Sequence, residues 1–286
     1  MENSTRNLIG IYEKALPYSK TWQERLDLAK RIGFDYVELS IDEDENRISR
    51  LDWSQSQIVE LQSISRGLEI PFLSMSLSAH RKYPLGSSDV KIRQKSKDIF
   101  AKAIDLACEF GIRIVQVVGY WVFYEPITIF SKEYFLEGIH WGVERAARCG
   151  VMLGMENVEG IEHVSSISQA MQYVDRINSP WFQLYPDFAN LYALGYDVPS
   201  ELAVGKGHFI AMHIKDAKPG QVRRIPFGEG CVDFLDSFNT LAELGYRGPF
   251  LIEMWNDDSP ESEKRIRNAF EMTQAHLQKS KYKSFR

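Results

Sequence analysis

The strongest constraint on the fold is a unit that recurs along the chain, in which a helical segment ends near a glycine and a short apolar segment follows. In the first unit, Leu26, Ala29 and Ile32 recur at helical spacing. Gly33 then precedes a strand-like segment from Tyr36 to Ile41. Glycine is favoured directly after a helix because the left-handed backbone there strains residues that carry a Cβ atom. The same arrangement recurs around Gly67, Gly111, Gly150 and Gly245.

Eight segments of the chain have the length and the apolar character of strands, and a helical pattern separates most of them. They are Ile9–Tyr12, Tyr36–Ile41, Phe72–Leu77, Ile112–Val118, Val151–Glu156, Phe182–Tyr185, Phe209–Ile214 and Phe250–Met254. Nearly continuous apolar strands are typical of a parallel sheet that is buried on both faces. Eight strand–helix units in 286 residues therefore predict an α/β protein with one (β/α)8 TIM barrel, a fold that commonly takes about 250 residues.

We expect residues 1–286 to form a single domain, with a frayed basic tail at residues 278–286. The alternative architecture is an open, doubly wound sheet. That architecture would require a glycine-rich nucleotide-binding loop after the first strand. Residues 10–17 contain no such loop, which favours the closed barrel.

Composition narrows the possible partners and the cellular compartment. The formal net charge of −5 argues against a nucleic-acid-binding protein, which would carry a basic surface. No segment is long and apolar enough for a transmembrane helix, and the N-terminus lacks the pattern of a signal peptide. Three widely spaced cysteines, Cys108, Cys149 and Cys231, are typical of a reduced protein without disulfides. We therefore expect a cytoplasmic protein that binds neither membranes nor nucleic acids.

Four strand-like segments in the second half of the chain end in polar residues, which are Glu156, Asp187, His213 and Glu253. In TIM barrels the C-terminal ends of the strands converge on the active site, so these side chains should meet. Because burying three carboxylates and one imidazole without a balancing cation is unfavourable, we expect one divalent metal ion there. This ligand set suits Mn²⁺, Mg²⁺, Co²⁺ or Zn²⁺. The absence of thiolate ligands argues against a purely structural zinc site.

These four residues, in this order, resemble the metal ligands of the xylose isomerase-like TIM barrels. Within this superfamily the chain is most similar to the L-ribulose-5-phosphate 3-epimerases, also called L-xylulose-5-phosphate 3-epimerases, of L-ascorbate degradation and related pentose pathways. The similarity extends over nearly the whole chain. The segments that carry it are GIYEKALP (10–17), SRLDWS (49–54), LSAHRKYPLGS (77–87), SPWFQLYPD (179–187), HIKDAKPG (213–220), PFGEGCVDF (226–234) and GPFLIEMW (248–255).

The resemblance implies a metal-dependent isomerase that interconverts L-xylulose 5-phosphate and L-ribulose 5-phosphate. Glu156, Asp187, His213 and Glu253 would bind the metal, and Glu156 and Glu253 would also be the catalytic acid and base at C3. Two bases are needed because inversion removes a proton from one face of the sugar and returns one to the other. The metal would stabilise the enediolate that forms in between. Three alternatives are a metal-dependent aldose–ketose isomerase, a 3-epimerase of a free ketose and a non-catalytic barrel that binds sugar phosphates.

Basic residues on one loop are candidates for binding the substrate phosphate. Lys215, Arg223 and Arg224 follow the seventh predicted strand, where TIM barrels often bind phosphate. The resemblance also bears on the substrate. Free-ketose epimerases of this superfamily carry a histidine and an arginine where this chain has Asn190 and Pro219. That difference favours a pentulose 5-phosphate over a free sugar.

Further residues at strand ends are expected to contact the sugar. His80 and Arg81 lie after the third predicted strand, Glu13 lies after the first, and Asn190 lies near the end of the sixth. Glu38 lies within the second strand and is expected to be a buried acid that needs a partner, such as a sugar hydroxyl. We also expect the protein to form a homo-oligomer, specifically a dimer.

Overall fold

The computed structural model describes residues 6–282, which contain one eight-stranded parallel sheet. Its strands are β1 (Ile9–Tyr12), β2 (Tyr36–Ile41), β3 (Phe72–Leu77), β4 (Ile114–Val118), β5 (Met152–Glu156), β6 (Phe182–Leu184), β7 (Met212–Ile214) and β8 (Phe250–Ile252). Strands β1 to β6 pair in chain order, and β8 lies between β1 and β7. Two isolated parallel bridges, Leu184 with Phe209 and Asp187 with His213, close the sheet between β6 and β7. The fold is the predicted (β/α)8 barrel.

Helices connect the strands and cover them with their apolar faces. They are α1 (Trp22–Ile32), α2 (Glu45–Ile48), α3 (Gln55–Gly67), α4 (Val90–Phe110), α5 (Ser131–Cys149), α6 (Ile167–Ile177), α7 (Phe188–Leu194), α8 (Val198–Val204), α9 (Phe234–Glu243) and α10 (Ser262–Lys279). In α1 the predicted apolar positions Leu26, Ala29 and Ile32 are all buried. Short 3-10 helices span Glu13–Ala15, Ser49–Asp52 and Ser78–Arg81. None of the helices described has the length and apolar character needed to cross a membrane.

Glycines end several helices as predicted, and at one of these ends the left-handed residue is not the glycine. Gly33, Gly111 and Gly150 follow α1, α4 and α5 in the left-handed conformation, with φ of 116°, 82° and 66°. At the end of α3, Gly67 is still helical. The positive φ there, 53°, belongs to Glu69.

The first three strands have the predicted bounds, whereas strands four to eight are shorter. Phe209, predicted as the start of the seventh strand, lies before β7, although the Ile210 N–H still donates to the Leu184 carbonyl at 2.9 Å. Glu253 and Met254 follow β8 rather than ending it. The Glu253 N–H nevertheless donates to the Ile214 carbonyl at 2.9 Å. Regular pairing of β8 therefore ends at Ile252, where the loop beside the site begins.

Part of the segment predicted to fray packs against the barrel instead. Helix α10 extends to Lys279. After it, the Lys281 N–H donates to Asn239 Oδ1 at 2.9 Å, and the ring of Tyr282 lies 6.1 Å from that of Phe250. Residues 283–286 of the predicted tail lie outside the described residues.

A glycine in β1 makes room for a tyrosine that fills the barrel interior. A Cβ atom built at Gly10 would lie 2.3 Å from the ring of Tyr36. The Tyr36 side chain is buried, and its hydroxyl donates to the Phe250 carbonyl at 3.0 Å. The ring is therefore held at its hydroxyl end and has little room to move away.

We expect Gly10→Ala to destabilise the protein by about 1–3 kcal/mol, as other overpacked cores are. The free energy of unfolding in urea measures the effect. Gly67→Ala is the matched control, because this helical position has a negative φ and no neighbouring atom within 4 Å of a built Cβ. A Gly10→Ala variant as stable as the Gly67→Ala variant would show that the Tyr36 ring is not confined.

Candidate active site and metal centre

The four predicted metal ligands meet at the C-terminal end of the barrel. Glu156 is the last residue of β5, and His213 lies within β7. Asp187 directly precedes α7, and Glu253 directly follows β8. One ligand atom from each residue lies within 4.8 Å of the other three, and Glu156, Asp187 and His213 are buried. The parallel sheet thus gathers three carboxylates and one imidazole at a single point.

Asp187 caps a helix with one carboxylate oxygen and leaves the other free of hydrogen bonds. Its Oδ1 accepts from the N–H groups of Ala189 at 2.8 Å and Asn190 at 3.4 Å, as an N-cap of α7 does. Its Oδ2 is buried and accepts no hydrogen bond, although the ammonium of Lys215 lies 2.5 Å away. The ammonium is therefore the ionic partner of this oxygen. A buried carboxylate oxygen whose neighbour is a cation lies in a position that suits a metal ion.

His213 is held between two carboxylates. Its Nε2 lies 3.1 Å from Glu38 Oε1, and its Nδ1 lies 3.3 Å from Glu156 Oε1. The other oxygen of Glu38 accepts from the hydroxyls of Ser74 at 2.7 Å and Tyr185 at 2.8 Å. Glu38 is thus the buried acid that was expected, and its partners are three residues of the protein.

Glu38 is suited to setting the tautomer of His213. When the Nε2–H donates to Glu38, the Nδ1 lone pair faces the ligand cluster, which is the usual arrangement for a metal-binding histidine. Burial lowers the pKa of His213, but the carboxylates of Glu38 and Glu156 outweigh it and raise the pKa well above its ordinary value. The imidazole therefore interacts strongly with the acids around it.

Lys215 was predicted to bind substrate, and its ammonium lies among the predicted metal ligands. The Nζ atom is 2.5 Å from Asp187 Oδ2 and 2.8 Å from Glu253 Oε2. Burial would raise the pKa of Glu253, but the charges of Lys215 and His213 lower it below its ordinary value. For Asp187 burial prevails, and its pKa is raised.

The residues at this point fit a divalent metal ion. Three carboxylates and one imidazole are oxygen and nitrogen donors that such ions accept. Asp187 has a buried oxygen without a hydrogen bond, and the Nδ1 of His213 faces Glu156 within the cluster. Among residues 6–282, no cysteine belongs to the group.

Of the two predicted arginines after β7, one is paired and the other lines a cavity. Arg223 donates to Glu159 Oε1 at 2.7 Å, and Glu159 also accepts from the hydroxyl of Tyr120. Arg224 has a positive φ of 60°. It lines a cavity of 450 Å³ together with Lys215 and Glu253. The cavity therefore adjoins the ligand cluster between the loops that follow β7 and β8.

One buried aspartate shapes the loop that carries both arginines. The Asp216 carboxylate accepts from the N–H groups of Gly228 and Gly230, each at 2.9 Å, and of Ala217 at 2.9 Å. A Cβ atom at Gly230 would lie 1.9 Å from this carboxylate. The loop therefore wraps tightly around Asp216, which sequence reasoning did not identify.

His80 packs against α4, and this packing gives no support to its predicted substrate contact. Its ring is buried, packs edge-on against Phe100 and places Nε2 3.3 Å from the Ser96 carbonyl. Both neighbours belong to α4. Burial lowers the pKa of His80 to about 4, so the ring is a neutral packing residue at physiological pH.

Glu13 was predicted to bind the sugar, but its carboxylate is used within the protein. It accepts from Arg50 Nη1 at 2.7 Å and from the Ser40 N–H at 2.9 Å, and Arg47 Nε lies 3.5 Å away. Lys14 and Arg47 also pair with one neighbouring acid, Asp42. A cluster of Lys14, Arg47 and Arg50 around Glu13 and Asp42 thus lies beside β1 and β2.

Asn190 has one polar atom that remains available. Its Nδ2 donates to the Asn157 carbonyl at 2.8 Å, whereas its Oδ1 is buried and accepts no hydrogen bond among the described residues. Sequence reasoning missed Gln116, whose amide donates to Glu156 and whose Oε1 accepts from Ser76 at 3.0 Å. A glutamine inside the apolar strand IVQVV was a signal that could have identified it.

Comparison with known proteins was made on the sequence and on the fold. The family model "Xylose isomerase-like TIM barrel" matches residues 26–276. L-ribulose-5-phosphate 3-epimerase UlaE of Escherichia coli strain SMS-3-5 is 45% identical over 274 residues, covering 95% of each chain. The protein of the same name from Escherichia fergusonii is also 45% identical, with the same coverage.

Solved structures share the fold at lower identity. The D-psicose 3-epimerase of Clostridium cellulolyticum H10, solved with D-tagatose, has a TM-score of 0.81 at 15% identity and covers 94% of this chain and 99% of its own. An L-ribulose 3-epimerase has a TM-score of 0.78 at 18% identity and covers 98% and 97%. At these identities the similarity establishes the barrel fold.

We expect Glu38→Gln to weaken metal binding by about 10- to 100-fold, the usual effect of removing a residue that orients a ligand. Glutamine keeps the shape but loses the charge that holds the His213 Nε2–H. Titration calorimetry with Mn²⁺ on the purified protein measures the dissociation constant. Glu60→Gln, at an exposed position, is the control. An unchanged constant in a folded Glu38→Gln protein would contradict the orienting role.

Proposed function

The chain belongs to the xylose isomerase-like TIM barrel family and, within it, to the L-ribulose-5-phosphate 3-epimerases, and on that basis we propose that it interconverts L-xylulose 5-phosphate and L-ribulose 5-phosphate. The observation that carries the proposal is the convergence of Glu156 and Glu253 with Asp187 and His213 within 4.8 Å of one another. The 45% identity to UlaE over 95% of the chain supports the choice of substrate.

Epimerisation at C3 needs a base on each face of the sugar. The hydrogen on C3 is weakly acidic because the neighbouring C2 carbonyl can take up the electron pair as an enediolate. In the proposed mechanism one of Glu156 and Glu253 removes this proton, and the other donates a proton to the opposite face. In the reverse reaction the two residues exchange these roles. The residue that removes the proton must be ionised, and the residue that donates one must be protonated.

Glu156, Asp187, His213 and Glu253 would hold the divalent metal ion. When bound, such an ion supplies a positive charge that stabilises negative charge on neighbouring substrate oxygens. The chain itself supplies the proton transfer and the orientation. Gln116 donates to Glu156 and thereby fixes its carboxylate. Asn190 offers a buried oxygen, Oδ1, that can accept from a sugar hydroxyl.

The position of the exchanged proton separates this reaction from its alternatives. Proton NMR of L-xylulose 5-phosphate with the enzyme in D₂O follows the reaction directly. Deuterium at C3 supports the epimerase. Deuterium at C1 or C2 would indicate an aldose–ketose isomerase, and no exchange in metal-loaded protein would indicate a non-catalytic barrel.

We expect Glu156→Gln and Glu253→Gln each to lower the rate of epimerisation by about 100-fold or more. Glutamine keeps the shape and one ligand oxygen but cannot take up the proton. The rate is measured on purified protein whose metal content has been determined. Glu144→Gln, in an exposed position on α5, should leave the rate unchanged. A near-wild-type rate in either active-site variant would exclude that residue as a base.

We also propose that the substrate phosphate binds near Arg224. Of the three predicted cations after β7, Lys215 pairs with Asp187 and Glu253, and Arg223 pairs with Glu159. Arg224 lines the cavity beside these groups. Phosphate sites near the loops after strands seven and eight are common in TIM barrels. Binding energy from a distant phosphate can hold C3 in place between the two bases.

We expect Arg224→Ala to raise KM for the phosphorylated sugar by about 10- to 150-fold, the loss of one charge-assisted hydrogen bond. Activity on free L-xylulose should hardly change. Arg223→Ala is assayed in parallel, because its guanidinium already pairs with Glu159. If wild type uses both sugars equally well, the phosphate preference is wrong. If phosphate is required but neither variant raises KM, the anion binds elsewhere, and the cluster of Lys14, Arg47 and Arg50 becomes the candidate.

The proposal includes the cellular setting expected from the sequence. We propose a cytoplasmic homodimer that acts in L-ascorbate degradation, as the resemblance to the L-ribulose-5-phosphate 3-epimerases implies. Sedimentation velocity of the purified protein measures its oligomeric state.

A further inference from the structure

Arg81 is an arginine at the mouth of the barrel that has no polar partner within residues 6–282. It ends the 3-10 helix that follows β3. Its guanidinium lies 5.5 Å from the ring centroid of Tyr120 and 5.6 Å from that of Phe123. Its Nε is buried without a hydrogen bond. Among residues 6–282, Arg81 forms no hydrogen bond or ion pair that would satisfy its charge.

Three neighbouring arginines at this end of the barrel are paired with carboxylates. Arg47 and Arg50 contact Glu13, and Arg223 contacts Glu159. A buried donor without a hydrogen-bond partner, such as the Arg81 Nε, is unfavourable. Stacking on aromatic rings offsets only part of that cost. Arg81 has no such carboxylate partner, so a group from outside the protein can pair with it.

The strand register places Arg81 on the side of the site that carries Glu156. Val118 pairs with Glu156 across β4 and β5, and Tyr120, whose ring supports Arg81, is two residues further on. Burial lowers the pKa of Arg81, but nearby Tyr120, Glu159 and Glu156 outweigh it and raise the pKa. The guanidinium therefore lies within electrostatic range of one of the two proposed bases.

We propose that Arg81 is a further catalytic residue, which donates hydrogen bonds to a substrate oxygen that becomes negatively charged when C3 loses its proton. The proposal rests on the epimerase activity proposed above. The faces of Tyr120 and Phe123 hold the guanidinium, and its N–H groups stay free to point at the sugar. Donors fixed in advance toward developing charge lower the barrier to reaction.

A phosphate is the other substrate group that could pair with this arginine. Kinetic measurements distinguish a contact with the reacting oxygen from a contact with the phosphate. A contact that forms only as charge develops lowers kcat, whereas a contact with the phosphate is already present in the bound substrate and acts through KM. The proximity of Arg81 to Glu156 favours the reacting end of the sugar.

The test compares wild type with Arg81→Met and Arg81→Lys on L-xylulose 5-phosphate, with C3 exchange in D₂O as a second readout. Methionine keeps an apolar stem against the rings, and lysine keeps the charge but loses the planar pair of donors. Arg113→Met is the control, because Arg113 is exposed and precedes β4 at the opposite end of the barrel. Circular dichroism and metal analysis establish that each variant is folded and loaded.

We expect kcat and the C3 exchange rate to fall by about 10- to 150-fold in Arg81→Met, with a much smaller change in KM. In Arg81→Lys, kcat and the C3 exchange rate should fall by at least about tenfold. If Arg81→Met does not fold, the Arg81→Lys variant provides the test. An unchanged kcat, or a rise in KM alone, would overturn the proposal. If wild type itself shows no C3 exchange, the proposed function fails instead, and the two failures are thereby distinguished.

Discussion

The whole site depends on how the barrel accommodates buried negative charge. Glu38, Glu156 and Asp187 are buried, and Glu253 is largely so. Carboxylates at such a density are stable only with cations and donors beside them. His213 supplies a donor to Glu38, and Lys215 lies between the acids that follow β6 and β8. A divalent ion would supply the remaining positive charge. The barrel fold brings the donors together, and the ion would balance their charge.

The helices and strands that form the barrel also orient the candidate metal ligands. Asp187 is both the N-cap of α7 and a ligand candidate. Its Oδ1 caps the helix, and this bond fixes the position of its Oδ2. His213 sits in β7 between Glu38 of β2 and Glu156 of β5, so its ring is fixed by strands on two sides. Orienting the ligands in this way costs little free energy, because the hydrogen bonds that orient them also stabilise the fold.

Sequence alone predicted the architecture and the four converging polar residues, because both follow from local rules. Apolar strands, helix-ending glycines and the convergence of strand ends require no knowledge of side-chain direction. The roles of His80, Glu13 and Glu38 could not be predicted in the same way. Each depends on a partner that is distant in the chain or on the direction of the side chain. Glu38 and His213 are 175 residues apart, and nothing near either residue indicates the pairing.

The ion pair between Arg223 and Glu159 joins the loop after β7 to the loop after β5, across the mouth of the barrel. Its side chains are 39% and 30% exposed, so dissolved ions can reach it and weaken it. The two loops are therefore held together by a contact whose strength depends on the surrounding solution. A rise in ionic strength should thus loosen this link between the two loops.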